Sequence, residues 1–406
     1  MNARRFSVLL ALAVFTTATT AEAAVIKVSP GESIQAAIDM AFPGDTILVE
    51  PGVYEETADD FFGLRISTDN LRLIGKVKQG QGEAGKVRLV VRRDSNGDPV
   101  QRTGIYAAPA ACGPGVPVGG CPDELQGFYI RGFTVKDFPG NGIQTRFVNG
   151  FKIIRNESAA NLHNGIYPTI SANGLVQNNV SYGATDTAMW VAASENVRVI
   201  GNELYGSPIG LEVNVSLNIE VTHNDIHDNT VGIGLFHPNS AGNLPREDMG
   251  NWVVEHNNVY DNNLPNPAPP TSFQGGLPPG VGILVLGVSD NVVAKNTVEN
   301  NDFVGIGVLG WCTAASTIPG RDCITRPPIR DPSVSNNLVA QNNVSGNGTN
   351  PPGGPLDFLA ADITYFSAGP DAGEFNSGNC FEKNKPKNGF TFFSSEPDTE
   401  LPTDGC

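Results

Sequence analysis

Asp186 and Glu212 are two acids that could serve as acid and base on a glycosidic bond. Alternatively, Arg146 could hold a uronate carboxylate while His163 or His237 takes a proton. Trp190 and Tyr167 offer aromatic faces for the C–H surface of a pyranose, and Asn214 and Gln144 offer amides for its hydroxyls. The combination suits a sugar. These residues sit in separate segments, so they form one site only if the fold stacks those segments.

A repeat of about 22 residues supplies the stacking. An alternating apolar stretch closes on Asn in IIRNES (Asn156), LVQNNV (Asn178), VRVIGNEL (Asn202), VTHNDI (Asn224), VVEHNNV (Asn257), VVAKNTV (Asn296) and LVAQNNV (Asn342). The steps are 22, 24, 22, 33, 39 and 46 residues, the longer ones being one period plus a Pro/Gly-rich insertion. A second strand returns in phase as NGIQTR at 141, NGIYPT at 164, IGLEVN at 209, VGIGLF at 231, VGILVL at 281 and VGIGVL at 304. Period-two alternation excludes helix. A unit this short cannot bury its own apolar face, so copies must share a core as a solenoid of parallel sheets. About eleven rungs at about 4.8 Å each give a rod on the order of 50 Å long. Each Asn is expected to take the left-handed corner conformation and to bond to its copies above and below.

Aligning the Gly-Ile strands turns Ile143, Ile166, Met189, Leu211, Ile233, Ile283 and Ile306 inward. Gln144, Tyr167, Trp190, Glu212, Gly234, Leu284 and Gly307 then point outward, with Arg146, Thr169, Ala192, Asn214 and Phe236 two positions on. His163 and Asp186 hold equivalent places just before neighbouring strands, and His237 lies close by. One exposed sheet is expected to carry them all. The insertions 237–250 and 310–335 leave from one corner of the rod and 263–279 from the other, so they are expected to wall that sheet. His223 and His256 precede corner Asn residues on adjacent rungs, where they form either a polar column or a metal-binding pair.

Both ends of the rod look capped. Residues 1–23 have the layout of a secretory signal: Arg4 and Arg5, an apolar run from Phe6 to Phe15, then Ala21-Glu22-Ala23. That run is too short to span a bilayer. The remaining 24–406 reads as a single domain, with the N-terminal cap and first rung in 24–62 and the last rung and a disulfide-pinned cap in 350–406. SIQAAIDM, from Ser33 to Met40, is a short amphipathic capping helix, and Ala361-Asp362-Ile363 is the last rung. Spacing favours sequential disulfides, pairing Cys112 with Cys121, Cys312 with Cys323 and Cys380 with Cys406. No C-x-x-C pair suggests zinc instead. The place implied is the periplasm or the exterior.

Composition narrows the classes further. The net charge of −16 argues against a nucleic-acid partner. Hydrophobic residues make up 40%, enough for a large core, while 47 Gly and 30 Pro exclude a coiled coil.

The opening helix, the strand GDTILVEPGVY, the Asn corners and the Gly-Ile strands resemble the right-handed parallel β-helix of the pectin-lyase-like superfamily, and within it the bacterial secreted β-helix repeat proteins. The resemblance implies an all-β, right-handed, single-stranded solenoid. It also implies an extracytoplasmic protein acting on a polysaccharide or oligosaccharide as lyase, epimerase or hydrolase. The N-T-D and G-H-G motifs of polygalacturonases and the Y-G-F-D-P-H strand of mannuronan epimerases do not occur. A non-catalytic glycan-binding or envelope protein is the alternative. A periplasmic metal-handling protein resembling the copper-site maturation proteins is the third reading. No cofactor is implied beyond a calcium ion that Asp225 and Asp228 could hold.

Overall fold

The computed structural model describes residues 22–117, 119–236, 249–311, 334–366, 378–386 and 391–394. Alternating Val, Ile and Leu make three parallel sheets of 12, 11 and 11 strands, coiled into the β-helix expected. Each coil runs through sheet 1, then sheet 2, then sheet 3. One such coil is Ala172–Gln177, Val180–Tyr182 and Thr187–Ala192. The next is Glu195–Ile200, Glu203–Tyr205 and Ile209–Asn214, paired to the first in register. Inward residues of all three sheets fill one continuous core, illustrated by Val197, Val199, Leu204 and Leu211 at 0% exposure. The N-terminal end is closed by helix α1 (Ile34–Met40), whose Ile34, Ala37 and Ile38 are buried on the first coil. Ser33 caps it, its hydroxyl accepting from the Ala36 N–H.

Asn columns fix the corners. Between sheets 1 and 2, Asn156, Asn179, Asn202, Asn224, Asn257, Asn296, Asn342 and Asn384 form an unbroken ladder, each Nδ2 donating to the next Oδ1 at 2.9–3.2 Å. The same Oδ1 also accepts the backbone N–H of the residue below, as Asn257 does from Asn224 at 3.0 Å. Two details differ from the sequence reading. The second ladder member is Asn179, not Asn178, which makes the first two steps equal. The left-handed conformation belongs to the residue before the ladder Asn: Arg155, Asn178, His223 and His256 all have φ of 53–59°. A corner needs one residue to turn the chain and another to satisfy the freed backbone groups, and the two tasks fall on consecutive positions. His223 and His256 therefore stack at that corner, with ring centroids 5.3 Å apart.

Ala361-Asp362-Ile363 is not the final rung. Cys380–Glu382, Lys385–Pro386 and Phe392–Ser394 add one more coil on top of it. Its sequence carries the ladder residues Asn379 and Asn384, but its strands are short. Cys112 and Cys121 are bonded to each other as spacing implied, and Cys380 is disulfide-bonded. Cys312, Cys323, Cys406, the signal segment and most of the insertions 237–250 and 310–335 lie outside the described residues. Among those described, no helix is long and apolar enough to cross a membrane.

A second apolar cluster lies outside the coil. Toward the C-terminal end, the outer face of sheet 3 presents Phe236, Leu284, Leu286 and Leu309, and Phe273, Leu277 and Trp311 pack over them. The insertion carrying Phe273 thus lies flat on the sheet. It also reaches the corner between sheets 2 and 3, where the Thr230 hydroxyl donates to the Leu264 carbonyl.

Asn257 makes five side-chain hydrogen bonds, all buried or partly buried. Asn257→Ala should cost about 2–4 kcal/mol by urea denaturation, since several buried polar groups lose partners together. Asn178→Ala, at an exposed turning position, should cost about 1 kcal/mol or less. Equal costs for the two would show that the ladder does not hold the coils.

Candidate functional site

The register of sheet 3 sets the site. Ile143, Ile166, Met189 and Leu211 pair in sequence along the inner face. Gln144 therefore stands beside Tyr167, and Trp190 beside Glu212. Arg146, Thr169, Ala192 and Asn214 form the next outward column. Each outward strand ends in a tight corner built on left-handed residues: Phe147, Ile170, Ala193 and Val215, with φ of 47–54°. Ile and Val are seldom found there, so the backbone is strained immediately behind the outward side chains.

The face is covered rather than exposed, which corrects the sequence reading. Glu212 is 2% exposed, Asn214 1%, Gln144 7%, Arg146 8% and Asp186 9%, whereas Tyr167 and Trp190 keep partial access to solvent. Neighbouring chain folds over the sheet at both ends, and those segments do not belong to the repeat. Tyr167 and Trp190 stack face to face, centroids 4.6 Å apart and planes 14° apart, so the rings stand upright on consecutive coils. His237 lies outside the described residues.

Asp186 and Glu212 come together through a residue the sequence reading passed over. The Thr187 hydroxyl lies 3.4 Å from Asp186 Oδ1 and 3.3 Å from Glu212 Oε2. Asn214 Nδ2 donates to the other Glu212 oxygen at 2.8 Å. A signal was present: Thr187 directly follows the acid and opens an outward-facing strand. Burial raises the Asp186 carboxyl to about 7. Burial, and then the neighbouring Asp186 charge, push Glu212 well above the usual carboxylate range. The two carboxyls titrate as a pair, displaced together above the usual carboxylate range.

His163 stands over this pair at the corner between sheets 2 and 3. Its Nε2 is 3.7 Å from Asp186 Oδ2, and its Nδ1 is 2.6 Å from Asn164 Nδ2. The same Nδ1 lies 3.2 Å from Asn141 Oδ1. Although half-exposed, the ring is held neutral below its ordinary value by lost hydration and by the Arg102 charge. Arg146 is turned elsewhere: Nη2 donates to the Val116 carbonyl. Thr169, the residue paired with Arg146, lies at the far end of the strand from His163, so the two are on the order of 15–20 Å apart. They do not share a reacting atom.

The buried polar atoms of this face that have no partner include Trp190 Nε1, Asn214 Oδ1, Arg146 Nε, Thr169 Oγ1 and Asn164 Oδ1. Orphaned buried polar groups are uncommon and mark places that a ligand or water completes. Elsewhere, Asp225 accepts from Asn258 and Asp228 bonds to His227. Among the described residues no group of three or more His, Cys, Asp and Glu side chains is arranged to hold a metal.

A family model described as a right-handed β-helix region matches residues 100–244 and 141–321, together more than half of the chain. No curated protein sequence matches. Among solved structures, the A-module of the Azotobacter vinelandii mannuronan C-5 epimerase AlgE4 is similar, with a TM-score of 0.56 and 15% identity over 89% of this chain and 88% of that one. The DFA-IIIase of Arthrobacter chlorophenolicus A6 without its lid is similar at a TM-score of 0.51 and 14% identity, over 87% of this chain and 82% of that one. At such identities the likeness is one of fold: this chain shares its β-helix with carbohydrate-active enzymes.

Both acids have folded-state values above their unfolded ones. The folded protein therefore holds extra protons between about pH 4 and pH 7, and stability falls as pH rises through that window. Glu212→Gln should remove much of the penalty, raising stability at pH 8 by about 1–2 kcal/mol and flattening the pH dependence. Urea denaturation at pH 5 and pH 8 measures this. No gain at pH 8 would contradict a buried, mutually repelling pair.

Proposed function

The chain belongs to the right-handed β-helix family, and on that scaffold we propose that it is an extracytoplasmic carbohydrate-active enzyme, cleaving a glycosidic bond with Glu212 as acid and Asp186 as base. The observation that carries this reading is the pair of buried carboxyls joined through Thr187. Two neighbouring acids that burial and mutual repulsion raise above the usual carboxylate range can divide the acid and base roles such a reaction needs. Glu212 gives its proton to the departing glycosidic oxygen. Asp186 takes a proton from a water whose oxygen bonds to the anomeric carbon, and Thr187 relays the proton back to Glu212. Asn214 fixes the Glu212 carboxyl, and the His163 ring stands beside Asp186. Trp190 and Tyr167, stacked on each other, offer partly exposed ring edges beside the acids for apolar contact with the sugar.

A uronate lyase or epimerase would need its cation and its base at one sugar. Arg146 and His163 stand at opposite ends of the strand, which weighs against that pairing. The disulfides support a location outside the cytoplasm.

On a saccharide substrate, Glu212→Gln and Asp186→Asn should each lower kcat by about 10²–10⁴ while leaving binding within a few-fold. The rate should climb as pH rises through about 7, where Asp186 becomes ionised. Reducing-sugar release from a panel of polysaccharides and oligosaccharides measures both. Tight binding with no turnover by the unaltered protein would make this a glycan-binding protein instead. A product absorbing in the ultraviolet would make it a lyase.

A further inference from the structure

The outer face of sheet 1 carries a charge pattern that the carboxyl pair on sheet 3 does not use. Five of its strands, Leu71–Gly75, Leu125–Arg131, Val148–Ile154, Ala172–Gln177 and Glu195–Ile200, lie side by side in register. One outward column therefore reads Arg72, Tyr129, Lys152, Leu175 and Arg198. Arg131 stands two places beyond Tyr129, and Arg155 turns the chain at the corner toward sheet 2. All five cations are exposed. Arg198 meets Glu220 at 3.0 Å, and the Arg72 guanidinium lies over the Tyr129 ring at 4.8 Å. Among the described residues, Arg72, Arg131, Lys152 and Arg155 have no acid at ion-pair distance.

The acids of these coils stand elsewhere. Asp69 and Glu124 lie at the strand starts, toward sheet 3, where they accept from the Gln126 N–H and from Asn149. Sheet 2 presents Glu157, Glu203 and Asp225 on its own outer face. In a chain of net charge −16, the cations are thus gathered on one face. Adjacent coils are about 4.8 Å apart, so like charges on them repel and the stripe costs stability. A polyanion converts that repulsion into attraction. From Arg72 to Arg198 is four coil steps, about 19 Å, or about one cation per 4 Å. Duplex DNA carries one phosphate charge per about 1.7 Å, a density that the acidic remainder of the protein opposes. A chain with a carboxylate on each sugar is the closer match. Tyr129 and Leu175, standing between the cations, offer apolar contact to its C–H groups.

We propose that the outer face of sheet 1, from Arg72 to Arg198, binds an acidic polysaccharide laid along the rod with its carboxylates on successive coils. This surface is separate from the carboxyl pair on sheet 3 and stands or falls without it. The test is calorimetric titration of the protein with polygalacturonate, alginate, dextran and duplex DNA. A uronate polymer should bind at about 50 mM salt, and raising salt to about 200 mM should weaken it at least tenfold. Dextran should not bind. The double variant R131E/K152E, which reverses two exposed charges, should lower uronate affinity at least about tenfold. The milder R131Q/K152Q, which keeps the test open if charge reversal prevents folding, should lower it about threefold. K295E lies on the same sheet beyond the stripe, where Lys295 already faces Glu255, and should stay within about twofold of the unaltered protein. Unchanged affinity in both double variants, equal binding of dextran, or binding of neither uronate polymer would overturn the proposal. So would tighter binding of DNA than of either uronate polymer. Self-association that R131E/K152E abolishes would give the face to a second copy of this chain instead. None of these results bears on cleavage by Asp186 and Glu212.

Discussion

Each coil of this protein lies in register on the one below, and hydrogen bonds running parallel to the rod axis keep it there. Backbone bonds within the sheets tolerate a slip by two residues, because the in–out pattern survives it. The corner ladders do not. An Asn Nδ2 that must reach both the next Oδ1 and a carbonyl from the preceding coil has one position in which both bonds form, as Asn202 does with Asn224 and Val176. Similar columns, of Asn at one further corner and of Ser giving way to Asn at the other, fix the phase three times per turn. Register is thus specified by short side chains whose bonds are buried and cooperative.

That rigidity lets two acids remain close at a cost. Buried carboxyls repel once both ionise, and a compliant scaffold would separate them or admit water. Here Thr187 and Glu212 project from adjacent strands whose spacing is set by the sheet, and strained corner residues such as Val215 allow the chain little freedom to relax. Asp186 sits at the turn just before its strand, anchored by its N–H to the His163 carbonyl at 3.2 Å. The proton shared by the pair is a consequence of geometry the ladders maintain.

What the sequence made legible was whatever repeats. Ile166, Met189 and Leu211 could be superposed because each closes the same short motif, so the outward neighbours Tyr167, Trp190 and Glu212 followed. The burial of Glu212 could not be read that way. The loop over the earlier coils, held by Tyr106 and Arg146, and the segment around Phe273 over the later ones each occur once and have no copy to align against. The misassigned Asn178 shows the same limit at finer scale. In LVQNNV two Asn residues stand together, and only hydrogen bonding separates the one that turns the chain from the one in the ladder. Thr187 was missed because a hydroxyl matters here through the two acids it lies between, and neither contact has a sequence period.

The outward columns of sheet 3 change character at one coil, and that change argues for where chemistry resides. From Phe236 onward the columns are apolar and roofed by their own insertions, an arrangement that burial of hydrocarbon is sufficient to explain. Before it they carry Thr187, Trp190, Glu212, Asn214 and Arg146, also largely covered, yet with several polar atoms left unpaired. If stability alone governed these coils, apolar residues would continue through them, since their outward side chains are already largely buried and each unpaired buried group costs about 1–3 kcal/mol. The polar stretch weakens the fold locally, while the Asn ladder between sheets 1 and 2 runs beneath it unbroken. A chain that keeps this ladder unbroken and gives up stability on one face of three coils meets the physical requirement of the saccharide site proposed above.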